Sequence, residues 1–255
     1  MPELSAIIIT LNEERNIGRC LDSLHGVADE VIVVDSGSVD KTEAICKEKQ
    51  ARFVFNEWPG YAEQKNFGNG LATYPYILSI DADEALSEEL RNAILLVKKD
   101  FKADAYEMNR LTNYCGKWIR YGGWYPDRKL RLFHREKFHW TGKHIHEYLV
   151  NDVPGTRIER LRGDLLHYSY YTIDEHIAQA NKYTDLTARL AMEQGKKAGL
   201  FQILINPTIK FIRDYILRFG FLDGYPGYII SRISAMAVFM KYTKIRQMRK
   251  RKANQ

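Results

Sequence analysis

Four short, largely apolar runs, the first two mostly β-branched, are separated by helical patterns in the first hundred residues: Ala6-Ile7-Ile8-Ile9, Val31-Ile32-Val33-Val34, Arg52 to Phe55 and Tyr76 to Ile80. Runs of this kind read as buried strands, and their alternation with helices predicts a mainly parallel sheet covered by helices. Asn12 is placed to cap the first helix, Glu13 and Glu14 suit its positive end, and Ile17, Leu21 and Leu24 recur at helical spacing. Asp40 followed by Glu43 has the form of a capping box opening a helix from Thr42 to Lys49. Ser87 before Glu88 and Glu89 opens another, with Leu90, Ile94 and Val97 as its apolar face.

Beyond Ala105 the texture changes. Short strand-like pieces, Tyr106 to Arg110, Leu130 to His134 and Leu165 to Tyr168, are separated by loops rich in Gly, Trp and Tyr, a composition that suits a binding surface. From Thr172 the chain is helical again, with Ile173 to Gln194 as one long candidate and two more flanking Gly220 to Gly227. The expectation is an α/β catalytic domain over residues 1–170 and a helical extension over residues 171–255.

At 255 residues the chain can bury a full core, and no stretch reaches the roughly 20 apolar residues that span a bilayer. Met1 to Ser5 carries no basic region and the apolar run behind it ends in Asn12-Glu13-Glu14, which reads as no secretion signal and a cytoplasmic protein. Cys20, Cys46 and Cys115 are scattered and lack metal-ligand spacing; the first two fall in helical patterns and are expected in the core. The net charge is +6, and from Lys241 onward the chain carries basic residues with no acidic one.

Two strand ends carry the chemistry. Ile77-Leu78-Ser79-Ile80 runs into Asp81-Ala82-Asp83-Glu84, and open α/β sheets bind substrates at this carboxyl edge. If the extended geometry continues, Asp81 and Asp83 point the same way, and paired carboxylates suit Mg²⁺ or Mn²⁺ bridged to phosphate oxygens. A helix-capping acidic turn is the alternative. Val33-Val34-Asp35-Ser36-Gly37-Ser38 places Asp35 in the same position on the second strand, where a carboxylate can accept from a ribose or base.

Taken with Ile8-Ile9-Thr10-Leu11-Asn12-Glu13-Glu14 and Gln64-Lys65-Asn66, these motifs resemble the inverting family 2 glycosyltransferases of GT-A fold, a Rossmann-like mixed sheet flanked by helices, through roughly the first 150 residues. Trp58-Pro59-Gly60-Tyr61-Ala62-Glu63-Gln64-Lys65-Asn66 and Gly142-Lys143-His144-Ile145-His146-Glu147 are similar to the branch containing lipopolysaccharide-core glycosyltransferases. The resemblance implies a nucleotide-diphosphate sugar donor, a glycan or lipid-linked acceptor and a divalent metal, Mn²⁺ or Mg²⁺. It places Thr10, Asn12, Glu13, Asp35, Ser36, Gln64 and Asn66 around the nucleotide sugar and Lys65 beside the pyrophosphate. Asp81 and Asp83 would hold nucleotide and metal, with Asp83 also counted among the catalytic residues. Leu11 stands where many relatives have an aromatic residue and Ser36 where many have a second Asp, which leaves the base open.

An inverting transfer needs a base across the sugar from the metal. Glu147 is the expected base and Asp127 the other candidate, while His146 and His167 are candidate metal ligands. Trp124, Asp127, Arg128 and Arg131 are candidates for the acceptor or phosphate. Segments Phe201 to Phe221 and Tyr228 to Tyr242 mix apolar, aromatic and basic residues, and with the basic tail they read either as a peripheral contact on the inner face of the membrane or as packing on the catalytic domain or a second copy in a homodimer. Two other classes compete with the transferase: a basic nucleic-acid-binding protein, disfavoured because the acidic strand ends repel phosphate without a metal, and a non-catalytic sugar-nucleotide-fold scaffold.

Overall fold

The structure, a computed structural model, describes residues 3–142 and 147–253. The chain divides into two compact units, residues 1–110 with 127–168 and residues 111–126 with 169–255. The second break lies close to the expected one at residue 170; the excursion 111–126, which joins the helical unit, has no counterpart in the two-part division read from sequence.

In the first unit, β1 (Leu4–Thr10), β2 (Glu30–Asp35), β3 (Arg52–Phe55) and β4 (Tyr76–Asp81) are parallel and lie in the order β3-β2-β1-β4. The sheet continues with β8 (Asp127–His134), antiparallel to β4, then β6 (Ala105–Tyr114), β11 (Ile158–Tyr170) and β5 (Glu84–Leu86). The order reverses at β1, so the crevice outside β1 and β4 is the switch point at which such sheets bind ligands. Register fixes its contents: Thr10 lies opposite Asp35, and Ile9 opposite Asp81.

The helices follow their apolar faces. α1 (Ile17–Leu24) buries Ile17, Cys20, Leu21 and Leu24 against the sheet. Asn12 does not cap it. Asn12 adopts a left-handed φ of 55°, its side chain accepts from Val39 N, and Asn16 holds the cap position. α2 (Thr42–Glu48) opens beside Asp40, whose carboxylate accepts from the Thr42 amide and hydroxyl; the pairing is with Thr42 rather than a reciprocal one with Glu43. Ser87 caps α4 (Glu88–Lys98) as expected, accepting from Leu90 N. Cys20 and Cys46 are core residues, and Cys115 is exposed.

α3 (Tyr61–Leu71) has no apolar stripe: its buried residues are Ala62, Gln64, Lys65, Gly68 and Asn69. It lies so close to the sheet that a Cβ on Gly68 would stand 2.4 Å from Ile7 Cγ2 and 3.1 Å from Val34 Cγ2. The glycine lets the helix come down onto β1 and β2, and Lys65, one turn earlier on the same face, is thereby carried to the sheet's carboxyl edge.

In the second unit β7 (Lys117–Ile119) pairs with the end of β6. Trp124, Tyr170 and His176 each meet the Tyr114 ring edge to face, and Tyr114 Oη lies 3.0 Å from His176 Nδ1. α5 (Ile173–Glu193) carries a complete capping box of Thr172 and Glu175. α6 (Leu200–Phe211) continues into a π-helical turn (Ile212–Leu217) and a 3₁₀ turn (Gly220–Asp223) before α7 (Tyr225–Ala253), which packs along both α5 and α6. α7 thus starts inside the Gly220–Gly227 segment expected to separate the helices. Among the described residues no helix is long and apolar enough to cross a membrane.

Candidate active site

At the carboxyl edge of β4 the backbone turns, so Asp81 and Asp83 do not share the extended geometry that would align them. Asp81 lies 3.0 Å from Lys65 Nζ through Oδ1 and 2.7 Å from Arg131 Nη2 through Oδ2. Asp83 instead meets His167, Oδ2 to Nε2 at 3.1 Å, while its carbonyl accepts from Tyr168 N. The two carboxylates have divided the work: one is engaged by protein cations, the other stands beside an imidazole.

Around Asp81 the charges alternate. Arg131 also reaches Glu84 Oε1 at 3.0 Å, and Glu84 Oε2 accepts from the Asp81 amide. Arg110 lies 3.6 Å from Glu84 and donates to Asp127 through Nε at 2.9 Å. Lys65 lies 3.3 Å from Glu147 Oε1, so one buried ammonium bridges the strand-end carboxylate and the expected base. The resulting line runs Asp127, Arg110, Glu84, Arg131, Asp81, Lys65, Glu147, each charge next to its opposite. Burial raises the Asp81 pKa, but Arg131 and Lys65 outweigh it and hold the carboxyl well below the usual range. The same pairings push Arg131 up against the effect of its burial. Trp140 forms a wall, with Lys65 Nζ 4.5 Å and Arg131 Cζ 5.8 Å from its ring centroid.

Other expected residues have structural occupations. Asp35 accepts from Gly37 N, Ser38 N and the Ser38 hydroxyl, shaping its own loop. Gln64 donates to Ser36 Oγ and accepts from Asn56 Nδ2, and Asn66 clamps Trp140 by bonding both its amide and its carbonyl. Arg128 is half-exposed and lies 3.8 Å from Glu107. Trp124 belongs to the aromatic group of the second unit, packed with Tyr114 and Tyr170. His146, with His144, lies outside the described residues. Glu84, Arg110 and Trp140 belong to the cluster although no role is read for them from the sequence; Glu84 closes the Asp81-Ala82-Asp83-Glu84 motif, Arg110 and Trp140 stand in no motif, and the Arg110–Asp127 cross-strand pair could have been found only from the strand register.

Four buried polar atoms here have no hydrogen-bond partner among the described residues: Thr10 Oγ1, Arg131 Nε, Trp140 Nε1 and Asp81 Oδ1, the last lying 3.0 Å from Lys65 Nζ. Each such group costs about 1–3 kcal/mol unless something satisfies it. Among the described residues no group of three His, Cys, Asp or Glu side chains could hold a metal ion. The Asp83–His167 pair offers one hard oxygen and one imidazole nitrogen, a donor set that fits Mn²⁺ or Mg²⁺ when phosphate and water complete the shell. Burial lowers the His167 pKa, but the Asp83 carboxylate outweighs it and the net shift is upward.

Glu13 is the one carboxyl of the nucleotide edge pushed up, to about 6, first by burial and then by Asp83, Asp40 and Asp81, against the bond from Asn16. A carboxyl raised in the fold from 4.5 to about 6 loses stability as pH rises through that window. Glu13→Gln should therefore be about 1–2 kcal/mol more stable than wild type at pH 8 in metal-free buffer, and no more stable below about pH 4.5. Urea unfolding at the two pH values checks it; an equal difference at both would place the strain elsewhere.

The glycosyl transferase family 2 profile matches residues 5–150. The lipopolysaccharide core biosynthesis glycosyltransferase LpsC of Rhizobium meliloti is 34% identical over 98% of this chain and 94% of its own. An uncharacterised glycosyltransferase of Rickettsia typhi is 32% identical over 97% of this chain and 88% of its own. Among solved structures, a mycobacterial protein superposes with a TM-score of 0.50 over 74% of each chain at 16% identity, a likeness of fold alone. With a GT-A sheet, a profile match over more than half its length and relatives aligned along nearly all of it, the chain belongs to glycosyl transferase family 2.

Proposed function

We propose that the protein is an inverting glycosyltransferase that moves a sugar from a nucleotide-diphosphate donor to a hydroxyl of a glycan or glycolipid in cell-envelope polysaccharide assembly. The observation that carries the reaction is the Lys65 bridge between Asp81 and Glu147 beside the Asp83–His167 pair. The envelope role rests on the likeness to the lipopolysaccharide-core enzyme.

In this reading the donor's nucleotide lies across the ends of β1 and β2, in a crevice shaped by the Asp35 loop and closed by Gln64. Asp83 and His167 would hold the divalent cation, which supplies Lewis-acid charge to the leaving diphosphate when bound. Lys65 and Arg131 hold Asp81 ionised and fixed. Glu147, oriented through Oε1 by Lys65, takes the acceptor hydroxyl proton on Oε2. As the proton leaves, the acceptor oxygen bonds to the anomeric carbon from the face opposite the diphosphate, and the carbon–phosphate-oxygen bond breaks with inversion.

The test is release of free nucleoside diphosphate from a panel of sugar donors, with Mn²⁺, with Mg²⁺ and with chelator. Release is expected from one donor class and lost with chelator. In His167→Ala the Mn²⁺ concentration giving half-maximal release should rise at least about tenfold, with Tm within a few degrees of wild type. Release from no donor, together with no thermal shift from any nucleotide, would remove the reading.

A further inference from the structure

The outward face of α6 is the feature the transfer reaction leaves unused. α6 packs on α7 and buries Ile203. Its other side carries Phe201, Leu204, Ile205 and Ile209, spaced three and four apart so that they share one face, and the exposed Ile212 and Ile216 continue the apolar surface into the π-helical turn. Phe201 is 66% exposed, Leu204 63% and, at the end of the π-helical turn, Leu217 67%. Phe219, Leu222 and Tyr225 extend the surface through the 3₁₀ turn, all more than half exposed. A surface helix ordinarily turns polar residues outward; this one is apolar on both sides, and an exposed patch of this kind marks an interaction site.

Charge identifies what covers it. From Lys196 to Lys252 the sequence is rich in Lys and Arg, and its acidic residues are Asp214 and Asp223. Both are buried, at 3% and 4% exposure. Asp214 is surrounded by Lys210, Arg213 and Arg218, and Asp223 accepts from the Arg120 and Tyr121 amides. The negative charge is thus turned inward, while Arg213 and Arg218 remain half-exposed in the same segment as the apolar face. Apolar and aromatic side chains accompanied by half-exposed cations are the composition of a helix lying in the headgroup region of an anionic bilayer. A second copy suits the face less well, because pairing two such faces would bring together two segments that each carry excess positive charge.

We propose that the face formed by residues 200–225 is a membrane-docking surface that inserts Phe201, Leu204, Ile209 and Leu217 among acyl chains and sets Arg213 and Arg218 at the phosphate level of an anionic leaflet. The anchor is this apolar face, which falls mainly in the Phe201 to Phe221 segment that the sequence already offered as a membrane contact, and the basic tail adds attraction only. The inference does not depend on the transfer chemistry, since docking needs no donor.

The experiment is co-sedimentation of the full chain with phosphatidylcholine vesicles, with and without phosphatidylglycerol, in 0.15 M salt on the order of physiological ionic strength. Wild type is expected to bind the phosphatidylglycerol vesicles at least about tenfold more tightly than the neutral ones. The variant L204Q/I209Q/L217Q, altered only at exposed positions and checked for an unchanged Tm, should lose at least about tenfold in affinity. The tail variant R249Q/K250Q/R251Q/K252Q should lose less. Binding lost in the tail variant and kept in the apolar one would overturn the proposal, as would no binding to either vesicle. Light scattering that shows a wild-type dimer turned to monomer by the apolar changes, without vesicle binding, would assign the face to self-association instead.

Discussion

Asp81→Asn should lower unfolding stability by about 3 kcal/mol and Tm by about 6–12 °C, whereas Asp83→Ala should cost less than about 1 kcal/mol. The carboxylates are two residues apart, and the difference comes from what each touches. Asp81 is the shared counter-ion of two buried cations, Lys65 at 3.0 Å and Arg131 at 2.7 Å. An asparagine keeps the shape and removes the charge, leaving Lys65 with Glu147 alone and Arg131 with Glu84 alone, and an under-compensated buried cation is expensive. Asp83 is partly exposed and its imidazole partner can become neutral. Because the Asp81 pKa is depressed in the fold, its contribution is present above the ordinary value of 3.8 and fades as the pH falls below it, so the gap between wild type and Asp81→Asn should narrow on acidification. A double-mutant cycle with Lys65→Met, read by urea unfolding, should show strong coupling to Asp81. Equal Tm losses in Asp81→Asn and Asp83→Ala would mean that the two carboxylates play one role after all.

That division of labour was hidden in the sequence for a definite reason. β1, β2 and β4 could be placed because short apolar runs buried on both faces read as strands of a covered sheet, and the same runs put Thr10, Asp35 and Asp81 at one edge. What a side chain meets at that edge depends on strands distant in the chain: Arg131 comes from β8, Glu147 from the segment before β10 (Tyr148–Asn151), and Trp140 from β9 (Phe138–Thr141). Asp-x-Asp reads as a pair only while the backbone stays extended, and it turns after Asp81. α3 escaped because its buried face is Gln64, Lys65, Gly68 and Asn69, a polar stripe that hydrophobic periodicity cannot register. Asn12 carries the residue type of a helix cap, yet it ties its loop to the loop of Ser38 and Val39. The aromatic-rich stretch 111–126 looked like binding surface, and part of it, Tyr114 and Ile119, is core of the second unit. In each case the local pattern was sound and a long-range partner changed its use.

Glu147→Gln is expected to reduce kcat about 10²- to 10⁴-fold while changing the KM for donor less than about threefold, the signature of a group that acts on the acceptor proton and not on donor binding. The substitution preserves size and leaves Oε1 able to accept from Lys65, so the ammonium keeps Asp81 and a neutral acceptor, and the fold should lose no more than about 1 kcal/mol. Asp127, the other carboxylate considered for the base, is committed to Arg110 at 2.8 Å and Lys129 at 3.1 Å, so Asp127→Asn should act on stability more than on kcat. Single-turnover measurement with saturating donor separates the two: in Glu147→Gln the bond-forming step slows and nucleotide affinity, read by thermal shift with the diphosphate, holds. If Glu147→Gln retains wild-type kcat while Asp127→Asn loses it, the base lies at the far end of the charge line. The Lys65 bridge would then serve to fix the loop before β10 and not to orient a proton acceptor.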